Sequence, residues 1–352
     1  MTLQKKGVSV IVCCHNSANR IGKTLSNLSK QEDVGDISWE IILVDNASTD
    51  HTASISSAMW KELGTTTRLR IVSQPVPGLA HARRKGLAEA AYSYLLFCDD
   101  DNWLSAGYVR GMYEMLESDP NIAACGGMGV PVFETKEPFW FYEYSEAFAL
   151  GSQDTAMENG RILSLYGAGM AVRKHIIEDL LGEGFEQLMQ GRTGKNLSSS
   201  EDIELTNAMV LKGYKLACTD DLKFFHYLPK ERLAFDYLKR LFVAFGTDGP
   251  FRNLYYSYIS ERRTHRLIKN WYYHLALSLV RVIKYAVFPP KKYGRVIYFL
   301  WSRAYIKQLF AIRKNYGELN HRISRVRDMG VYGPMHNISK KIGLRLDPSR
   351  SL

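Results

Sequence analysis

The sequence is poor in several things at once, and each shortage narrows what the chain can be. Its five cysteines, Cys13, Cys14, Cys98, Cys125 and Cys218, are irregularly spaced among 352 residues. No CxxC or Cys/His cluster is present, which argues against a zinc site. Cys13, Cys14 and Cys98 lie in or beside strand-like runs, where buried free thiols are common, as in a reduced, cytosolic chain. The N-terminus MTLQKKGVSVIVCCHN has two lysines but only a short apolar stretch, which fits a first strand better than a signal peptide. Mean hydropathy is −0.21, against a polytopic membrane protein. No internal repeat is visible. Acidic residues are missing from one region altogether: of the 46 Lys and Arg, 13 fall between Arg262 and Lys314, where there is no Asp or Glu. The remaining 33 face 36 acidic residues, so the net charge of +10 is local to that segment.

The first 130 or so residues alternate strand and helix patterns through short connections. VSVIVCCHN (8–16), WEIILVDNASTD (39–50), LRIVSQ (69–74), YLLFCDDD (94–101) and IAACGGMGV (122–130) read as buried strands, with helical patterns between them. This spacing predicts an α/β domain with a mostly parallel sheet flanked by helices, in which ligands bind at the carboxyl ends of strands. Polar residues gather at those ends: His15 and Asn16, Asp45 and Asn46, and Asp99 to Asn102. Three adjacent carboxylates repel one another, and a divalent cation would relieve them; a solvated acidic turn is the alternative.

Taken in order, ILVDNASTD, PGLAHARRKG, FCDDDN, YGAGMAVRK and SSSEDIELTNAMVLKGYKL resemble the family 2 glycosyltransferases over residues 7–245. The resemblance implies a GT-A, Rossmann-like fold, a nucleoside-diphosphate-sugar donor with UDP-sugar favoured, and inversion at the anomeric carbon. It places Cys13, His15, Asn16, Asp45, Arg83, Asp99 and Asp100 at the nucleotide. His15 stands where the family usually has Tyr, and Arg84 replaces the Asn of Ala-Arg-Asn-x-Gly. Asp101, Asp99 and His226 become the ligands of Mg²⁺ or Mn²⁺, with Asp100 the least direct of the three aspartates. Gly167, Ala168 and Gly169 fall near the donor sugar and diphosphate. Asp202 becomes the catalytic base, supported by Glu201. Apart from the resemblance, EPFWFYEYSEAF (137–148) is dense in aromatics; core packing is the first reading, and Trp140 or Tyr142 lining the acceptor site is the alternative. QGRTGKNLSSS (190–200), rich in Gly, Ser and Thr, reads as a mobile loop, and its place just before Glu201 and Asp202 suggests that it orders over the donor and excludes water. Without the resemblance, Glu201, Asp202 and Glu204 are ordinary acidic residues for the first turn of a helix.

Residues 1–245 are thus expected to form the catalytic domain and 246–352 a helical C-terminal region. NWYYHLALSLVRVIKYAVF (270–288) is nearly all apolar, with a narrow polar stripe of His274, Ser278, Arg281 and Lys284. RVIYFLWSRAYIKQLFAIRK (295–314) is a second helical pattern carrying Arg303, Lys307 and Lys314. Neither run is long and uncharged enough to span a bilayer. Apolar faces, Trp and Tyr, and unopposed positive charge fit a peripheral seat on the cytoplasmic face of an anionic membrane better than a nucleic acid. The alternative is packing against the catalytic domain or a partner. The function expected is transfer of a sugar to a saccharide or lipid-linked saccharide in cell-surface glycan assembly. The competing readings are a non-catalytic nucleotide-sugar-binding scaffold or a metal-dependent phosphohydrolase.

Overall fold

The computed structural model describes residues 5–154, 157–158, 160–189, 191, 197, 200–260, 267, 270–288 and 292–328. Its central sheet has eight strands: β1 (Lys5–Cys14), β2 (Trp39–Asn46), β3 (Leu69–Gln74), β4 (Tyr92–Asp99), β5 (Asn102–Leu104), β6 (Ile122–Phe133), β9 (Ala171–Arg173) and β10 (Lys215–Leu228). β7 (Met157–Glu158) and β8 (Arg161–Ile162) form a separate hairpin. The sheet order is β3-β2-β1-β4-β9-β6-β10-β5. The β3-β2-β1-β4 and β6-β10 pairs are parallel; β9 and β5 run antiparallel to their neighbours. The predicted mostly parallel sheet is therefore present, with two reversed insertions that the strand pattern alone did not reveal.

β1 shows why the first strands read as continuous apolar runs. Val8, Val10, Val12 and Cys14 pack on one face of the sheet and Ile11 on the other, so both faces are covered. On the first face lie α1 (Ile21–Leu28), α2 (Thr52–Glu62) and α4 (Tyr108–Ser118). On the second lie α3 (Leu79–Glu89), α5 (Lys174–Gly182) and α6 (Glu201–Leu211). α1 buries Ile21, Leu25 and Leu28, the stripe its spacing predicts.

Beyond the sheet, α7 (Phe235–Ile259) runs straight through the expected domain boundary at 245/246. Its Gly246 lets α9 (Gly294–Ile312) approach closely: a Cβ there would strike the Trp301 carbonyl. Tyr255 of α7, Tyr305 and Leu309 of α9, and Ile323 of α10 (Tyr316–Asp328) share one apolar cluster with Ile11 and Leu95 of the sheet. The helical region and the α/β region are thus joined through a common core. α8 (Trp271–Val287) lies outside, against α9. No helix among the described residues is long and apolar enough to cross a membrane.

Candidate active site

The carboxyl ends of β1, β2 and β4 lie side by side because their register pairs Cys14 with Asp45 and Cys13 with Asp99. Above them opens a cavity of about 880 Å³. Cys13, His15, Arg83, Asp99, Asp100, Asp101, Gly167, Ala168, Glu201, Asp202 and His226 all line it. Eleven positions picked from six separate stretches of sequence thus converge on one space.

The three aspartates have different fates. Asp99 faces the cavity at the end of its strand. Asp100 turns back into the protein, where it accepts hydrogen bonds from Ser17 Oγ and Arg20, the latter at 2.7 Å. Burial, and then the neighbouring Asp101, push its carboxyl above the ordinary range; Arg20 and Ser17 oppose them. Asp101 is held by the Arg232 guanidinium at 2.9 Å, and its other oxygen accepts from Asn102 Nδ2 at 3.2 Å. The pairing of β5 with β10 sets His226 opposite Asn102 and brings its Nε2 to 3.7 Å from Asp101. His226 Nδ1 lies 2.9 Å from the Phe148 carbonyl, which can only accept, so Nδ1 carries the proton and Nε2 presents a lone pair. Arg232 NH1 donates to that lone pair at 3.0 Å. Burial works against the charge of Arg232, and Asp101 with its neighbours outweighs it.

The second cluster stands at the start of α6. Arg83 of α3 is largely but not fully buried, lies over the Phe97 ring and reaches Glu201 at 3.3 Å. Burial disfavours its charge, but Glu201, Asp99 and Asp202 more than restore it. Asp202 Oδ2 accepts the Gly167 N–H at 2.5 Å and Oδ1 accepts the Ile203 N–H at 2.7 Å. Its carboxyl is pushed up, first by burial; Arg83 and the two N–H groups act against the shift and Asp99 adds to it. Gly167 is required here: a Cβ would collide with the Arg83 guanidinium and the Asp202 carboxylate. One helix turn on, Glu204 accepts the N–H groups of Leu188 and Met189 and the Tyr255 hydroxyl, the last at 2.9 Å. Burial pushes Glu204 up to about 7 despite these donors.

Other expected residues sit elsewhere. Asn16 has φ +50° and uses its side-chain oxygen on Thr49 of the β2–α2 loop, at 2.8 Å from the backbone nitrogen. Asp45 lies outside the cavity lining, with Oδ1 buried and unpartnered. Gly169 has φ +67°, and its carbonyl accepts the Tyr108 hydroxyl at 2.9 Å, behind the lining. Trp140 is buried among Phe141, Phe148 and Phe235 rather than lining the cavity; Tyr144 and Tyr166 line it instead. Most of the loop at 190–200 lies outside the described residues.

Sequence reasoning missed Arg20 and Arg232, and marked Asn46 as a polar strand end without giving it a role. Asn46 builds the wall before α3, donating to the Gln74 and Val76 carbonyls and accepting the Gly78 N–H at 2.7 Å. The signal was available in part. A buried acidic triplet needs counter-charge, and Arg20 and Arg232 are cations a few residues beyond strand ends already marked as polar.

This architecture is a GT-A glycosyltransferase fold. It superimposes on the mannosyltransferase PcManGT from Pyrobaculum calidifontis, in complex with GDP-Man and Mn²⁺, with a TM-score of 0.52 at 18% identity, covering 94% of this chain and 88% of that one. S. aureus TarS 1-349 gives 0.50 at 16% identity, covering 91% and 89%. Residues 9–181 match the Glycosyl transferase family 2 model, and this part of the chain belongs to that family. The cholesterol galactosyltransferase of Borreliella burgdorferi is 30% identical over 123 residues, which is 35% of this chain and 33% of that protein. The uncharacterized glycosyltransferase EpsJ of Bacillus subtilis is 31% identical over 120 residues, 34% and 33% of the two chains. The chain thus spans about a third of the length of these curated relatives.

Proposed function

We propose that the chain is a metal-dependent, inverting glycosyltransferase. It moves one sugar from a nucleoside diphosphate sugar, UDP-sugar favoured, to a saccharide hydroxyl in cell-surface glycan assembly. The observation that carries this reading is the placement of Asp202. It is a carboxylate of raised proton affinity, held by two backbone N–H groups, in the same cavity as Asp99, Asp101 and Arg83. A general base works best when its pKa approaches the working pH, and burial moves Asp202 in that direction.

In the proposed step the acceptor hydroxyl gives its proton to Asp202 as its oxygen bonds to C1 of the donor sugar. The bond between C1 and the diphosphate oxygen breaks on the opposite face, and the nucleoside diphosphate leaves with the electron pair. Arg20, Arg83 and Arg232 all face the cavity and supply fixed positive charge toward a diphosphate. Gly167 keeps the approach to Asp202 open.

Asp101 and the Nε2 lone pair of His226 fit a Mg²⁺ or Mn²⁺ ion, which needs few protein donors when phosphate oxygens and water complete its shell. When bound, such an ion neutralises charge on the leaving diphosphate. Arg232 now takes the space between these two donors, so loading the ion requires its guanidinium to withdraw.

A thermal-shift panel of UDP-, GDP- and dTDP-sugars, with and without Mn²⁺, tests the donor class. Stabilisation by one nucleotide sugar, larger with Mn²⁺ than without, is the expected result. No stabilisation by any of them would overturn the reading.

A further inference from the structure

α8 is folded inside out. A helix beside water normally buries its apolar stripe and shows its polar one. Here His274 and Ser278, half of the predicted polar stripe, are buried. The apolar side faces outward: Val280 is 62% exposed, Ile283 67% and Phe288, just past the helix end, 73%. α9 continues the surface with exposed Val296 and Phe299. Scattered single apolar residues on a surface are ordinary, but a contiguous set of this kind marks a contact.

The surroundings identify the contact. Lys284, Lys292, Arg295, Arg303 and Lys307 are exposed around this face. No Asp or Glu occurs anywhere between residues 262 and 314 to offset them. A second copy of the chain would bring the same positive charge against itself, whereas an anionic lipid surface offers both the apolar depth and the opposite charge. The face also borders the cavity. Tyr285 of α8 packs 4.8 Å from Tyr298 of α9, and Tyr298 lines the cavity with Phe242 and Phe245. Just before α9, the Tyr293 ring packs 5.4 Å from that of Phe139, which is 81% exposed.

We infer that the outward face of α8 and the start of α9 lie in the plane of an anionic bilayer surface, with one wall of the cavity at the lipid boundary. A saccharide carried on a lipid is then presented at the cavity mouth without leaving the membrane. That last step rests on the glycosyl-transfer reading; the lipid seat does not.

Flotation of the full chain with phosphatidylcholine vesicles, with or without phosphatidylglycerol, tests the seat. The expected result is flotation with the anionic vesicles and much less with the neutral ones. Lys284→Gln and Arg295→Gln should each weaken it about fivefold. Val280→Glu with Ile283→Glu should abolish it while leaving circular dichroism and nucleotide-sugar binding unchanged, since both positions are exposed. Failure to float with anionic vesicles would overturn the inference. So would flotation unaffected by the double variant, or a solution dimer that the double variant dissociates. Flotation reads the face and nucleotide-sugar binding reads the cavity, so either can fail alone.

Discussion

The cavity and the outer face of α8 invert each other's chemistry. At the cavity, charged groups are buried and paired: Asp100 with Arg20, Asp101 with Arg232, Glu201 with Arg83. At α8, apolar groups are exposed and half of the polar stripe, His274 and Ser278, is turned in. Both depart from the usual distribution, and each departure is stable only with a suitable counterpart. The buried carboxylates already have theirs in three arginines. The apolar face has no counterpart within the described chain, which is why it points to a surface outside it. A charge is therefore costly to remove from the first region and nearly free to add to the second.

Arg83→Ala should sharpen this contrast most. It leaves Glu201, 3% exposed, without its cation, and losing one partner of a buried pair costs about 3–5 kcal/mol. Chemical denaturation at neutral pH measures it. Glu204→Gln tests the same region through pH. The folded state holds the Glu204 proton up to about pH 7, above its unfolded value near 4.5. Its contribution to stability is therefore present at low pH and falls as pH rises through that window, by up to about 3 kcal/mol. The wild type should lose stability between those pH values, and Glu204→Gln should flatten the curve. Equal slopes would show that Glu204 ionises as if exposed.

Asp100→Ala should cost about 1–3 kcal/mol, because Arg20 and Ser17 lose a charged acceptor. Asp99→Ala, at a side chain with no such anchors on it, should cost less in thermal denaturation. Val280→Glu alone should change stability by no more than about 0.5 kcal/mol, despite placing a charge on an apolar helix. A large loss there would mean the face is packed in the free protein, and the comparison between the two regions would break.

The α/β half was largely legible because its strands are covered on both faces and its polar residues must then fall at strand ends. Val8–Val12, Ile41–Val44 and Leu95–Cys98 are all buried, as their continuous apolar runs required. The reversed strands were not legible: Ala171–Arg173 is three residues long, and its direction depends on contacts distant in sequence. The cavity residues came mainly from motif order, and the structure separates residues that motifs treat alike. Asp100 anchors Arg20 while Asp99 faces open space, although the two are adjacent in one acidic run. Asn16 and Trp140 sit where a strand end and an aromatic run placed them, yet their side chains serve a loop and a core. Periodicity located α8 and its polar stripe, but it cannot say which side faces the protein. That choice belongs to α9, whose buried Tyr305 shares a hydrogen bond with Ser278 of α8.

Asp202→Asn provides the most direct test of the account. The measurement is release of nucleoside diphosphate from the nucleotide sugar that stabilises the protein, in the presence of a membrane lipid extract as acceptor source. The expected result is release by the wild type and a loss on the order of 10²–10⁴-fold in Asp202→Asn, with nucleotide-sugar binding retained. Equal release by the two proteins would contradict it, because the carboxylate at the start of α6 would then take no proton in the reaction.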